Sequence, residues 1–351
     1  TVRQLKEMKE HGFGGGFVHV RQGLITPYLE KDFFDVWEKT LEGAKKLGLI
    51  LYMYDEYAWP SGFAGGLVMD HIPDTIIKWA EYRIINAKHA DKGNNFIAAY
   101  AFDEENNAVG ECLSDVAPEK WAEHSDKVMR INLTDPRDDR SCGGHPYVDL
   151  SNPKVTEEFI KITHEEYKKR FGEDFKDHIK AIFSDEASIW GCGEDQVLYT
   201  DTVRKKFMEM HGYPLEKNIA AVYENFNGNF DRTPEKIRYD YNCTLSQLWI
   251  DSFVKPISKW CEDNGIAWTG HQEHSWPQTM GGAFSEQRTY EFRQWPGIDM
   301  LLCDALADVP AWNDTLLMYE ARSAANQFKK ERTLVEAYGA AGWHSTFNDY
   351  K

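Results

Sequence analysis

The sequence has no surplus of positive charge, no long apolar run and no close pairing of its cysteines. Lys plus Arg number 40 against 57 Asp plus Glu, a formal charge of -17. A phosphate backbone or an anionic bilayer therefore meets no general attraction, and nucleic acid is not an expected partner. No apolar stretch approaches the ~20 residues that span a bilayer, so membrane insertion is not expected, and no signal peptide is visible. The six cysteines, at 112, 142, 192, 243, 261 and 303, form no CxxC pair and no zinc spacing. Motifs of other chemistries are missing as well. Gly12 to Gly16 has neither the GK[ST] ending of a phosphate loop nor GxGxxG spacing, and it opens a strand rather than a helix. Ser61 and Ser184 lack a GxSxG frame, which disfavours a serine triad. Internal repeats and low-complexity linkers are absent.

What the chain does have is a recurring design, a short apolar strand that stops at acids. In Ile179 to Trp190, the run Ala181-Ile182-Phe183 ends in Ser184-Asp185-Glu186. Leu49 to Tyr54 runs into Asp55-Glu56, and Ile266 to Thr269 runs into His271-Gln272-Glu273. Ile298 to Cys303 runs into Asp304, and Thr333 to Val335 into Glu336. Continuous apolar runs are the pattern of parallel strands buried on both faces. Acids at the carboxyl ends of several such strands are what a (β/α)8 barrel enzyme places at its active-site face.

Between the strands the periodicity is helical. Helices are expected over Val2 to His11, Phe33 to Lys46 with Gly48 as the stop, Lys154 to Phe171 behind an Asn152 cap and Pro153, Thr200 to His211, Ile237 to Asn264, and Leu316 to Lys329. From about 79 to 140 the rhythm changes. Tyr82 to Ala87 and Phe96 to Phe102 alternate like antiparallel strands, so a small β-rich insertion is expected within one barrel domain covering 1–351. About six barrel strands are visible, and the barrel reads as truncated. The chain opens at Thr1 inside a helix, so a first strand before it and an eighth strand with its helix after Lys351 are expected in a longer chain with flanking domains.

Glycoside hydrolysis needs two carboxyl groups flanking the scissile bond, one as acid and one as base or nucleophile. Because neighbouring strand residues point to opposite sides, only one of Asp185 and Glu186 should face the barrel axis, and the longer Glu186 is the expected acid. Glu336 and Glu273 compete for the second role. Asp55 and Glu56 read as ligands for sugar hydroxyls or calcium, or equally as acids that hold a loop. Asp185, His271 and His19 join the substrate-facing candidates. Trp59, Trp190, Trp276, Trp312 and Trp343 each follow a strand end within about fifteen residues, where indoles suit the faces of sugar rings. His271 and His274, three apart, raise a metal-dependent hydrolase with Asp185 as an alternative, although HExxH is absent.

Several stretches resemble the catalytic barrel of glycoside hydrolase family 106, the α-L-rhamnosidase-like enzymes. They are GFGGGFVHVR at 12–21, GLITPYL at 23–29, YDEYAWPSGFAGG at 54–66, FSDEAS at 183–188 and EAYGAAGW at 336–343. The resemblance spans nearly the whole chain and is poorly specific for the sugar. It implies a TIM-type barrel with added β domains, hydrolysis of terminal rhamnosides with inversion, and calcium as an optional helper with no ligands specified. By the same resemblance Glu186 is the acid and Glu336 or Glu273 the base. Ala187 departs from the proline that usually follows the Asp-Glu pair. A carbohydrate, free or as a glycoside, is the expected partner. A non-catalytic carbohydrate-binding barrel is the rival reading. The compartment stays open, since scattered thiols suit a reducing interior while polysaccharide hydrolases are often exported.

Overall fold

The computed structural model describes residues 2–21, 23–134, 142, 144–189, 196–223, 226–228, 230–272, 286–300, 314–339 and 346. In chain order the elements begin with α1 (Val2–Glu10), β1 (Gly15–Val18), α2 (Lys31–Leu47), β2 (Ile50–Tyr54) and α3 (Leu67–His71). A strand-rich segment follows, with β3 (Trp79–Asn86), β4 (Phe96–Asp103), β5 (Ala108–Cys112) and β6 (Lys127–Leu133). Next come α4 (Pro153–Ile162), α5 (His164–Phe171), β7 (Ile179–Asp185), β8 (Gln196–Leu198), α6 (Asp201–His211) and β9 (Asn227–Gly228). The remainder is α7 (Pro234–Trp249), α8 (Lys255–Asn264), β10 (Ala267–His271), α9 (Glu286–Phe292), β11 (Gly297–Met300), α10 (Asp314–Gln327) and β12 (Leu334–Ala337).

The fold is mixed α/β, and its parallel strands make a curled half-barrel. β1, β2, β7 and β10 pair side by side in chain order, and β11 pairs in parallel with β12. β11 lies against β10, where the Thr269 hydroxyl donates to the Trp295 carbonyl at 3.0 Å and the Trp295 N–H to the Trp268 carbonyl at 3.1 Å. Glycine makes this approach possible, because a Cβ on Gly297 would collide with the carbonyl of Gly270. These are the six strands that the apolar runs predict. The outer strands expose apolar side chains, Phe17 on β1 at 38% and Val335 on β12 at 44%.

Local chemistry sets the element ends. α2 stops at Gly48, whose left-handed φ of 63° lets its N–H reach the Ala44 and Lys45 carbonyls, and α8 stops the same way at Gly265. Two helices differ from their expected form. The helix expected over Lys154 to Phe171 divides at Thr163, whose hydroxyl donates to the Phe159 carbonyl, a back-bond that bends helices. The one expected over Ile237 to Asn264 contains a wide π turn, Ile250–Val254, just before Pro256. Proline has no N–H for the helical ladder and clashes with the carbonyl four residues back, and the wide turn relieves both. The apolar face of this pair, Leu245, Leu248, Trp249, Phe253 and Ile257, is buried as the periodicity predicts.

β3, β6, β4 and β5 form an antiparallel sheet with short additions from β8 and β9. One face, with Ala80, Ile131 and Tyr100, joins the main core, and part of the other is covered by Trp121 over Ala99, Leu113 and Val128. β8 comes from beyond β7, which ties this sheet to the loop region after the central strand.

Candidate active site

Three strand ends converge on one imidazole. β7 ends at Asp185, paired in register with His271 at the end of β10, and Glu336 of β12 pairs in register with Asp299 of β11. His271 is 1% exposed. Its Nε2 lies 3.1 Å from Glu336 Oε2 and 3.9 Å from Asp185 Oδ1, and its Nδ1 lies 3.8 Å from Glu186 Oε1. Burial lowers the His271 pKa, but the hydrogen bond to Glu336 and the charges of Asp185, Glu186 and Asp299 outweigh it, and the net shift is upward. In return the hydrogen bond from His271 holds the Glu336 carboxyl below its usual range against burial, helped by the charges of His271, His19 and Arg21. A histidine with a raised pKa, paired with a carboxylate with a lowered one, thus sits at the centre of the site.

Asp185 and Glu186 both approach His271, contrary to the strict alternation expected of adjacent strand residues. The reason is local. Glu186 lies just past β7 with a left-handed φ of 47°, so the chain turns before the alternation would carry its side chain away. Its N–H donates to the His271 carbonyl at 3.1 Å, and its Oε2 accepts the Trp59 indole N–H at 2.8 Å. Trp59 is 38% exposed. Since the two ring nitrogens face the two glutamates, the nearest oxygens of Glu186 and Glu336 are no more than roughly 9 Å apart, inside the ~9.5 Å limit of a two-carboxylate glycosidase pair.

Asp185 is held from the other side. Arg21 donates to its Oδ2 at 3.0 Å and the Tyr54 hydroxyl to the same oxygen at 2.7 Å. His19, whose ring lies 4.0 Å from that of Tyr54, has its pKa lowered by burial first and by Arg21 second, against the pull of Asp185 and Glu336. Arg21, Tyr54 and Asp299 escaped the sequence reading. Asp299 had a signal, as an acid interrupting the apolar run from Ile298 to Cys303. Arg21 and Tyr54 had only their place at strand ends and within the stretches 12–21 and 54–66 that carry the resemblance.

Asp55 and Glu56 are fully buried, and both hold the loop after β2. Asp55 accepts the hydroxyls of Ser61, at 2.6 Å, and Ser184, which itself receives the Trp268 indole N–H at 2.8 Å. The Glu56 carboxylate accepts the backbone N–H groups of Tyr57, Gly62, Phe63, Ala64 and Gly65. Burial pushes Asp55 up to about 7 against its two hydroxyl donors, and Glu56 up to about 8 against its N–H donors. The loop they fix carries Trp59. Glu273, His274, Asp304, Trp190, Trp276, Trp312 and Trp343 lie outside the described residues.

Two sets of groups come close enough to share a cation, Asp185 with His271 and Glu336, and Glu186 with His271 and Asp299. Calcium prefers six to eight oxygen ligands. Each of these sets offers two carboxylates and one imidazole nitrogen, fewer oxygen donors than calcium takes. Among the described residues the set does not fit calcium, and no chemical step here is routed through a metal.

Among solved structures, the fold is similar to that of a rhamnosidase from Novosphingobium sp. PP1Y. The TM-score is 0.57 at 12% identity, over 92% of this chain and 49% of that one. The fold is glycoside-hydrolase-like. A β-galactosidase from the Antarctic haloarchaeon Halorubrum lacusprofundi matches at a TM-score of 0.47 and 12% identity, over 88% of this chain and 39% of that one. The chain thus spans about half the length of the rhamnosidase or less than half that of the galactosidase. No family model matches the chain, and no curated protein matches it significantly. At such identity the likeness concerns the fold and leaves the narrower rhamnosidase family, and the reaction, to argument from the site.

Proposed function

We propose that the chain is the catalytic barrel domain of a glycoside hydrolase acting on terminal, rhamnoside-like sugars with inversion. In this reading the six parallel strands belong to a (β/α)8 barrel, with the 79–140 segment as its β-rich insertion. The observation that carries the proposal is the placement of Glu186 and Glu336 at opposite nitrogens of one buried imidazole, at the carboxyl ends of parallel strands. Glu336, kept ionised by His271, suits the base. It takes a proton from water as the water oxygen bonds to the anomeric carbon. Glu186 gives its proton to the departing glycosidic oxygen on the other face, and the bond to that oxygen breaks. The product keeps the incoming oxygen on the opposite face, which is inversion. Asp185, pinned by Arg21 and Tyr54, stands beside the pair.

The test compares wild type with Glu186→Gln on aryl and alkyl α-L-rhamnosides, following the first anomer by NMR. Glutamine cannot donate the proton, so the alkyl substrate with its poor leaving group should lose about a hundredfold or more in kcat, and the nitrophenyl substrate much less. Near-normal turnover of the alkyl glycoside by Glu186→Gln would remove this residue from the mechanism. Sugar binding without hydrolysis by wild type would favour a carbohydrate-binding barrel.

A further inference from the structure

The cations of this acidic chain are unevenly placed. At the strand starts, the end of the half-barrel opposite Glu186 and Glu336, a cavity of about 470 Å³ opens between the beginnings of β7 and β10 and the turn leading into β12. Lys176 and Lys180 line one side, and Lys329, Lys330 and Arg332 the other. Glu331 is the one acid among the described lining residues, and it is taken up by Arg332. In a chain where acids outnumber Lys and Arg by 57 to 40 this is a local inversion of charge.

These cations are also held where they are. The stem of Lys176 lies over Gly265, so close that a Cβ there would strike its Cε, and both Lys176 (φ 71°) and Lys329 (φ 54°) occupy the left-handed region that few lysines adopt. The Arg332 guanidinium sits 4.8 Å from the Trp295 ring centre, and Lys330 Nζ donates to the Glu291 carbonyl at 2.7 Å. Lys176, Lys180 and Lys329 make no ion pair with any described residue. Like charges gathered this way repel unless an anion joins them. Burial draws the Lys330 pKa down, against Glu291 and Glu262 nearby.

We propose that this cavity binds a small phosphorylated or sulfated molecule, at a site separate from the acid cluster. Four ammonium groups to one guanidinium favour a tetrahedral oxyanion, which accepts point charges from any side, over a planar carboxylate, which matches the arginine fork. The volume falls in the range of small-molecule sites, roughly 300–1,000 Å³, and Trp295 and Ile266 are among the lining residues. The inference is independent of the glycosidase reading.

The experiment is calorimetric titration of the 351-residue chain with pyrophosphate, inorganic phosphate and sulfate at matched ionic strength. One saturable site is expected, and a Lys180→Gln/Lys329→Gln variant should weaken it by at least about tenfold. A distant Lys39→Gln/Lys205→Gln control should leave it unchanged. Acetylation of lysines in wild type, read by mass spectrometry, serves if the variant misfolds: pyrophosphate should shield Lys176, Lys180 and Lys329 and spare Lys39. The ranking of phosphate against sulfate names the ligand's anion. Absence of binding beyond the salt-matched blank, equal weakening in the control variant, uniform acetylation, or tighter binding of single-stranded DNA than of pyrophosphate per phosphate would each overturn the proposal.

Discussion

Replacing His271 by glutamine tests whether the imidazolium sets the charge of Glu336. Glutamine keeps an N–H near the position of Nε2 but carries no charge. The hydrogen bond at 3.1 Å joins a buried cation to a carboxylate whose side chain is 34% exposed. A hydrogen bond to a charged group contributes roughly 1.5–3 kcal/mol. Solvent reaching the exposed third of Glu336 screens this to roughly 1–1.5 kcal/mol. Losing the charge should therefore raise the Glu336 pKa in His271→Gln. Carboxyl carbon NMR of 13C-labelled protein reads that titration without any substrate. In the proposed reaction the base works only when ionised, so the acid limb of kcat/KM should move to higher pH by the same amount. A folded His271→Gln protein whose Glu336 titrates where that of wild type does would refute this coupling.

The same pair makes a claim about stability, and its sign is fixed. The His271 pKa is raised above 6.5, so its contribution is full below about 6.5 and is lost as pH climbs through the raised value. The Glu336 pKa is lowered below 4.5, so its contribution is full above about 4.5 and is lost as pH falls through the lowered value. The pair therefore stabilises most between about 4.5 and 6.5, and His271→Gln should cost most there.

Asp55 acts in the opposite sense to Glu336. Its pKa is raised from 3.8 to about 7, so the native state takes up a proton, and this stability is full below 3.8 and lost as pH rises through 7. Wild type should melt at progressively lower temperature from pH 4 to 7, and Asp55→Asn, which cannot ionise, should show a shallower decline by calorimetry over that range. Identical slopes in the two proteins would contradict a perturbed Asp55. Trp59→Phe keeps an aromatic ring but removes the N–H given to Glu186. With Glu186 as the acid, kcat should fall about fivefold, from roughly 1 kcal/mol of lost hydrogen bonding, while KM stays near wild type. A raised KM with unchanged kcat would instead make Trp59 a sugar platform.

Much of the scaffold was legible because its physics is local. Parallel strands covered on both faces must be apolar, and Ala181-Ile182-Phe183 of the central β7 has that character. Helix ends were legible where a single residue decides them, as at Gly48, Gly265 and the Asn152-Pro153 pair. The π turn before Pro256 was not, since a long amphipathic period continues straight through it. Nor was the approach of both Asp185 and Glu186 to His271. It depends on one left-handed residue, and glutamate gives no sign of adopting that conformation.

The acids show where sequence reading fails and why. Asp55, Glu56 and Glu336 all end or follow an apolar strand, and nothing within five residues of any of them separates their roles. What separates them is the set of donors each fold element brings. The small residues of Ser61-Gly62-Phe63-Ala64-Gly65 let the chain curl until four of its N–H groups meet Glu56. Two hydroxyls, one 129 residues away in the chain, close around Asp55. Glu336 receives a cation from His271, 65 residues upstream. Neutral donors only partly offset burial, so Asp55 and Glu56 titrate near or above neutrality. A cationic donor reverses the effect of burial, and Glu336 stays ionised. A buried loop anchor and the carboxylate proposed as the base can thus share one sequence signature, and the donors around each tell them apart.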